Sequence, residues 1–146
     1  MAVVTAGTNP SPSPSGEVDG SNKIGSGLIC GEDLTPGAAC FIASDGLVYM
    51  SGGSGVTALT DAGAVVHGYA PHGRKSAQGM PVTLVHDVDF GYGSSLTPGQ
   101  KLYLDVSATT KGRLNTSQGI TALPPCAHVI DANRIRVFRC IPYAIS

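Results

Sequence analysis

Apolar residues in this chain occur only in short runs bounded by Gly, Pro, Asn and Asp, and helical spacing is nowhere sustained for ten residues. Short apolar runs between turn-forming residues are typical of many short β-strands. The 146 residues suffice for one domain with an ordinary hydrophobic core. The sequence therefore predicts an all-β domain over residues 23–146, with strands at 38–43, 47–50, 64–70, 80–86, 100–106, 112–115, 126–130 and 134–141.

Two pairs of these strands are predicted to form hairpins. Asp45 and Gly46 separate the first two strands and favour a type I′ turn, because both residue types tolerate positive φ angles. The last two strands are joined by residues 131–134. A five-residue loop there would place Cys126 opposite Cys140, and a four-residue loop would place it opposite Arg139.

The segment 101–106 alternates between apolar and polar residues, which is typical of a strand with one buried and one solvated face. The alternation predicts which side chains point inward and which point outward. The inward set is Leu102, Leu104 and Val106, and the outward set is Tyr103 and Asp105.

An internal repeat links two distant parts of the chain. The string Leu-Thr-Pro-Gly occurs at 34–37 and again at 96–99, 62 residues later. Each copy is followed by a predicted strand, a turn containing glycine and a second strand. A turn with Pro followed by Gly sets the bend ahead of each strand. We interpret the copies as two similar hairpins within one β domain, and chance likeness between β-turns is the alternative.

Residues 1–22 are predicted to form an extended arm. Pro10, Pro12 and Pro14 alternate there with serines, and such a segment fits neither a helix nor the interior of a sheet. The arm is either a floppy terminus or linker, or a segment that becomes ordered on a partner. A second Gly/Ser segment, 51–55, is predicted to be a flexible surface loop.

Composition excludes several functional classes. The net charge is −1 and only 5% of the residues are aromatic, which argues against a direct nucleic-acid binder. No apolar stretch approaches the roughly 20 residues of a membrane helix, and no secretory leader is recognisable. We therefore predict a protein made in a cytoplasm, with no membrane contact.

The chain offers little for catalysis or metal binding. No nucleophile elbow or phosphate-binding loop occurs, so we expect no enzymatic activity, no catalytic residue and no cofactor. Four widely spaced cysteines are predicted to be buried free thiols rather than bridges or zinc ligands. The stretch 86–89, His-Asp-Val-Asp, is a weak metal candidate, and we interpret it as a solvated strand end or loop, with no metal expected.

Charge is unevenly distributed along the chain. Residues 1–100 carry a net charge of −5 and residues 101–146 a net charge of +4. Arg134 and Arg136 should share one strand face, with Arg139 close by. Such a basic face suits contact with another protein or with a second copy, and a solvated edge strand explains it equally well. The candidate interface residues are Pro10, Pro12, Pro14, Arg134, Arg136 and Arg139.

The string GEDLTPGAACFIASDGLVY at 31–49 resembles the pattern of tailed-bacteriophage capsid decoration proteins, also called cement or head-stabilising proteins. Their usual form is Gly-Glu, a turn, a short apolar strand, Asp-Gly and a second strand ending near Tyr. The likeness continues in order through residues 65–69, 79–85, 95–104 and 112–116. It covers roughly residues 25–140, and the order and spacing of the strings carry it.

The resemblance implies a β-tulip-like or small β-barrel domain on the outer surface of an assembled phage head, made in the bacterial host. It implies two partners, the major capsid protein and the chain itself, with homotrimers near local threefold axes. The domain would clamp neighbouring capsid subunits. The four cysteines and the Pro/Ser-rich arm depart from the family pattern. A receptor- or glycan-binding β module of a phage tail or other surface protein is the alternative.

Overall fold

The computed structural model describes residues 3–4, 11–12, 23–24, 27–71 and 77–142. The described residues form β-strands joined by turns, with one short 3-10 helix at Ala62–Ala64. The strands are β1 (Val3–Val4), β2 (Ser11–Pro12), β3 (Lys23–Ile24), β4 (Ile29–Cys30), β5 (Ala39–Ile42), β6 (Leu47–Met50), β7 (Gly68–Tyr69), β8 (Leu84–Val85), β9 (Val88–Gly91), β10 (Lys101–Leu104), β11 (Leu114–Asn115), β12 (Ala127–Val129) and β13 (Arg134–Val137).

The larger of two sheets has seven strands in the order β1-β11-β10-β12-β13-β9-β2, so β1 and β2 form its opposite edges. Residues 5–10 connect these edges, and the link from Val4 to Ser11 reaches at most about 25 Å. Seven strands laid flat would separate the outer two by about 29 Å. The larger sheet must therefore curl until its edges approach. Pro12 lies on an edge strand, where proline is tolerated.

The smaller sheet has six strands in the order β3-β8-β7-β5-β6-β4 and closes on itself. Strand β4 pairs with β6 on one side. On its other side, Cys30 N donates to Met80 O at 2.9 Å, and Val82 N donates to Leu28 O at 3.0 Å. Residues 80–82 lead directly into β8, so hydrogen bonds run around the whole smaller sheet. The predicted all-β, small barrel-like architecture is confirmed.

Strands β5, β7 and β8 form a wall between two hydrophobic cores. Successive side chains of a strand point to opposite faces. Cys40 and Leu84 accordingly belong to the barrel core, whereas their neighbours Ala39 and Val85 belong to the core against the larger sheet. The buried residues of the barrel core are Cys30, Leu34, Ala38, Cys40, Val48, Ala70, Val82 and Leu84.

The two sheets are joined where residues 51–53 cross the loops of the larger sheet. Gly53 N donates to Asp105 O at 2.9 Å, and Gly112 N donates to Ser51 O at 2.6 Å. Gly52 has a φ of +83°, and a Cβ there would lie 2.5 Å from Asp105 O. Only glycine allows the two backbones to approach so closely.

The predicted flexible surface loop at 51–55 is therefore wrong for residues 51–53, which are buried, whereas residues 54–55 are exposed. A Gly/Ser run has the same composition whether it serves as a linker or as a close backbone crossing.

A second contact lies beside this crossing, where Lys111 Nζ donates to both carboxylate oxygens of Glu32 at 2.9 Å.

The two copies of the internal repeat adopt the same local structure. Ala38 N donates to Thr35 O at 3.1 Å, and Gln100 N donates to Thr97 O at 3.2 Å, with a glycine of positive φ inside each turn. The first turn leads into the antiparallel pair β5 and β6, and the second into the antiparallel pair β10 and β11. The interpretation as two similar hairpins is confirmed.

The first hairpin has the predicted strands but a different turn. Gly46 alone has a positive φ, and its N–H donates to Ala43 O at 2.9 Å. Asp45 instead lies at ordinary negative φ, and its carboxylate accepts a hydrogen bond from Leu47 N at 2.9 Å. The type I′ prediction is wrong, because a three-residue loop with one left-handed glycine also suits a hairpin.

The alternation predicted for 101–106 holds only to the end of β10. Leu102 and Leu104 are buried, but Asp105 is buried as well and Val106 is only partly so. Burial raises the pKa of the Asp105 carboxyl, whereas hydrogen bonds from Ser107 and Asn115 lower it by more, so the pKa lies below its usual value. Through these hydrogen bonds the buried carboxylate organises the loop that follows β10.

Every predicted strand segment contains a strand or part of one, although most observed strands are shorter. Strands β3, β4 and β9 of the predicted domain were not predicted. Strand β4 lies in a glycine-rich stretch, and β9 directly follows Asp87, whose φ is +55°. Of residues 1–22, the structure describes only β1 and β2, which pair with the larger sheet, and the rest of the arm lies outside the described residues.

Replacing Gly52 with alanine should lower the free energy of unfolding by about 3 kcal/mol or more, because the new Cβ meets a backbone oxygen that cannot move freely. Gly46→Ala is the matched control: its φ is also +83°, but no atom lies within 4 Å of its added Cβ. That control should lose only about 1–2 kcal/mol. Urea denaturation measures both values, and equal losses would contradict the close crossing.

Candidate interaction surface

The outer face of β13 carries the two arginines that the sequence places together. Ile135 and Val137 are buried, whereas Arg134 and Arg136 are partly exposed on the opposite face. Both arginines pair with acidic side chains of the same chain. Arg134 Nε donates to Asp131 Oδ2 at 2.8 Å, and Arg136 Nη1 donates to Asp89 Oδ1 at 3.1 Å. The face is thus a surface of mixed charge rather than a purely basic one.

The register of the last hairpin differs from both predicted alternatives. Val129 pairs with Ile135, and Ile130 N donates to Arg134 O at 2.9 Å, so the loop has three residues, 131–133. Cys126 consequently lies opposite Phe138, not opposite Cys140 or Arg139. The Asp131 carboxylate shortens the loop by accepting hydrogen bonds from backbone N–H groups inside it.

This register aligns four polar side chains in a row across the larger sheet. His128 is paired with Arg136 on one side and with Lys101 on the other. Arg136 is in turn paired with Asp89. Lys101 and His128 are exposed, and the His128 ring lies 6.0 Å from the Phe138 ring. We call the side chains Lys101, His128, Arg136 and Asp89 the charged row.

Sequence reasoning missed Lys101, His128 and Asp89 as neighbours of Arg136. They come from strands far apart in the chain, and only the strand order and register bring them together. The exposed position of Lys101 in an alternating segment was the one available signal.

Arg139 lies apart from the charged row. It precedes Cys140, which bridges Val66, and its charge acts on His67 instead. Burial of the His67 imidazole lowers its pKa, and the positive charge of the nearby Arg139 lowers it to a smaller extent. Ile42 N donates to His67 Nδ1 at 2.9 Å, which requires that nitrogen to be unprotonated. The predicted proximity of Arg139 to the other two arginines stays a prediction, whereas its charge acts on His67.

Pro12 is the one proline candidate that the structure describes, and it pairs with Phe90 at the edge of the larger sheet. Pro10 and Pro14 lie outside the described residues.

The interpretation of 86–89 as a solvated strand end or loop is wrong, because His86 and Val88 are buried and Val88 begins β9. The stretch does not act as one ligand group either. His86 Nδ1 hydrogen-bonds with the Asp87 carboxylate, whereas Asp89 pairs with Arg136. Within residues 27–71 and 77–142 and the three short N-terminal strands, no three His, Cys, Asp or Glu side chains come together as metal ligands.

The four cysteines are free and buried, as predicted. Cys40 Sγ donates to Ala38 O at 3.3 Å, and Cys140 Sγ donates to Pro124 O at 3.4 Å. Burial raises the pKa of all four thiols, to about 12 for Cys126 and about 11 for Cys140. The thiols are therefore protonated at neutral pH.

The smaller sheet presents an aromatic pair on its outer face. Phe41 and Tyr49 face each other across β5 and β6, with ring centroids 6.0 Å apart. Tyr49 OH donates to Asp45 Oδ2 at 2.7 Å. The Tyr49 ring also lies over Gly31, whose added Cβ would be 2.5 Å from it.

Comparison of this chain with protein-family models, curated proteins and solved structures finds no match. Among the described residues, no helix has the length and apolarity to cross a membrane.

His67 should make the stability of the protein depend on pH. The unfolded chain takes up a proton near the ordinary pKa of 6.5, whereas the folded chain does so only at lower pH. The free energy of unfolding should therefore fall as pH drops below 6.5, until the folded-state pKa is passed. His67→Gln keeps an acceptor for Ile42 N without titrating, so urea denaturation between pH 7.5 and 5 should show a shallower loss. Parallel curves would contradict this assignment.

The thiols should be inert in the folded protein. With a pKa of about 11, only about one Cys140 thiol in a thousand is ionised at pH 8. A colourimetric disulfide reagent should consequently react slowly with the native chain and rapidly with four thiols after denaturation. Rapid modification of any thiol without denaturant would show that its site is open.

Proposed function

We propose that this chain is a non-enzymatic structural protein of a phage virion, which binds the outer surface of an assembled capsid and stabilises it by bridging neighbouring major capsid protein subunits. Its partners in this proposal are the major capsid protein and further copies of itself, as a homotrimer near local threefold axes. The observation that carries the proposal is the ordered likeness of residues 25–140 to capsid decoration proteins.

The structural setting of that likeness supports the proposal. The strings at 31–49 and 95–104 supply the two equivalent turn and strand units, one in each sheet. These units are held by two buried cores that share a wall of strands. A densely packed scaffold of this kind resists deformation, as a clamp between capsid subunits must.

The mixed charges of the outer face also suit a role on a repeating shell. Surface ion pairs contribute little to folding stability, so charged side chains there are available for recognition. A lattice of many identical sites allows each contact to be modest, because one molecule that touches two subunits gains from multivalent attachment.

Co-sedimentation with undecorated heads tests the proposal. We expect saturable binding to expanded heads at a fixed ratio to capsid subunits, and weaker binding to free subunits, because bridging needs two neighbours. Heads that are already saturated with unlabelled protein serve as the control. Absence of binding to undecorated heads, with a folded protein, would refute the capsid role.

A second candidate function is receptor or glycan binding by a β module of a phage tail or other surface protein, and the Phe41 and Tyr49 pair favours it. Aromatic rings pack against the apolar faces of sugars, and a carboxylate such as Asp45 accepts hydrogen bonds from hydroxyl groups. Binding of the chain to host cells, reduced by Phe41→Ala and unaffected by Lys101→Glu, would favour this candidate over the capsid role.

A further inference from the structure

The charged row has two cationic side chains at a defined separation. Lys101 and Arg136 lie on β10 and β13, on either side of His128 in β12. Two strand spacings separate them by about 10 Å. Within the part of the chain that the structure describes, the Lys101 ammonium makes no ion pair, and the Arg136 guanidinium uses one nitrogen on Asp89 and stays 42% exposed.

The wider molecule is polarised around this row. The described residues of the smaller sheet and its connections, 23–24, 27–71 and 77–85, contain four acidic residues and one basic residue, Lys23. Residues 86–142 contain six Lys or Arg and four acidic residues. The net positive charge of residues 86–142 therefore favours the approach of a partner with carboxylates to the larger sheet.

The positions of acidic and basic side chains on this face indicate which class of partner fits it. Asp89 lies at one end of the row, and Asp131 lies beside Arg134. A continuous polyphosphate laid across this face would meet both carboxylates as well as the cations. Discrete carboxylates on a protein surface can face Lys101 and Arg136 while avoiding Asp89 and Asp131.

We propose that the charged row is a docking surface for an acidic protein, which presents carboxylates about 10 Å apart to Lys101 and Arg136, with His128 between them as a hydrogen-bonding neighbour. The proposal deepens the proposed function. The identity of the partner rests on that function, whereas the negative charge of the partner is inferred from the charged row itself. Arg139, which was grouped with these residues from sequence, takes no part.

A peptide of Glu-Pro-Pro repeats is a suitable probe, because in the polyproline II helix every third side chain lies on the same side, with a spacing of about 9 Å. Fluorescence anisotropy at low salt should detect its binding to the full-length protein, and the same peptide with Gln in place of Glu should not bind. Lys101→Glu should weaken binding about fivefold or more, and the affinity should fall as salt rises. Lys101 is exposed and makes no ion pair among the described residues, so this variant should stay folded.

Arg139→Glu is the matched control, since it makes the same change in charge at an exposed site beside His67. Retained peptide binding in Arg139→Glu supports the docking surface. Equal losses of affinity in Arg139→Glu and Lys101→Glu would show a general charge effect and overturn the docking surface. Tighter binding of a DNA duplex than of the Glu peptide, sensitive to Lys101→Glu, would also overturn it in favour of nucleic acid.

The same variants separate this proposal from the capsid role. Undecorated heads that bind wild type and Lys101→Glu equally would overturn the docking surface while leaving the capsid role intact. Peptide binding that depends on Lys101, without any binding to heads, would refute the capsid role and leave the docking surface standing.

Discussion

The architecture depends on the close approach of backbone at the crossing of residues 51–53 with the loops after β10 and before β11. Hydrogen bonds there join Gly53 to Asp105 and Gly112 to Ser51, with almost no side-chain volume between the chains. Because the crossing sets the distance between the sheets, it also sets the space that the core between them must fill. Larger residues at Gly52 would push the barrel away from the larger sheet.

That distance explains why three strands are buried on both faces. Side chains of β5, β7 and β8 alternate between the barrel interior and the core against the larger sheet. Tyr69 illustrates the fit: its ring lies 6.4 Å from that of Phe90, and its OH donates to Cys126 O at 2.9 Å. A buried hydroxyl needs such a partner, so the contact favours one relative position of the two sheets.

The surface follows from the same framework. A three-residue loop, shaped by the Asp131 carboxylate, sets the register of β12 and β13 and thereby brings Lys101, His128 and Arg136 into line. A shift of one residue between β12 and β13 would turn Arg136 to the face opposite His128 and Lys101. Recognition on this surface thus depends on turn chemistry some distance from the charged groups.

Much of the local structure was predictable because it depends on neighbours in the chain. The Leu-Thr-Pro-Gly turns, the first hairpin and the alternation of β10 are encoded in a few adjacent residues each. The buried state of the cysteines also followed from their chemistry and spacing. The outward face shared by Arg134 and Arg136 needed only the twofold period of a strand.

The tertiary structure alone decided the rest, because it depends on which distant backbones meet. The sequence of residues 51–53 determined that the backbone there is permissive, but the approach of Asp105 decided that it is buried. The sequence determined that Arg139 is a cation, but the bridge between Val66 and Cys140 decided that it acts on His67. Local propensities specify turns and strand faces, whereas burial and long-range pairing are properties of the packed whole, and the candidate surface belongs to the second kind.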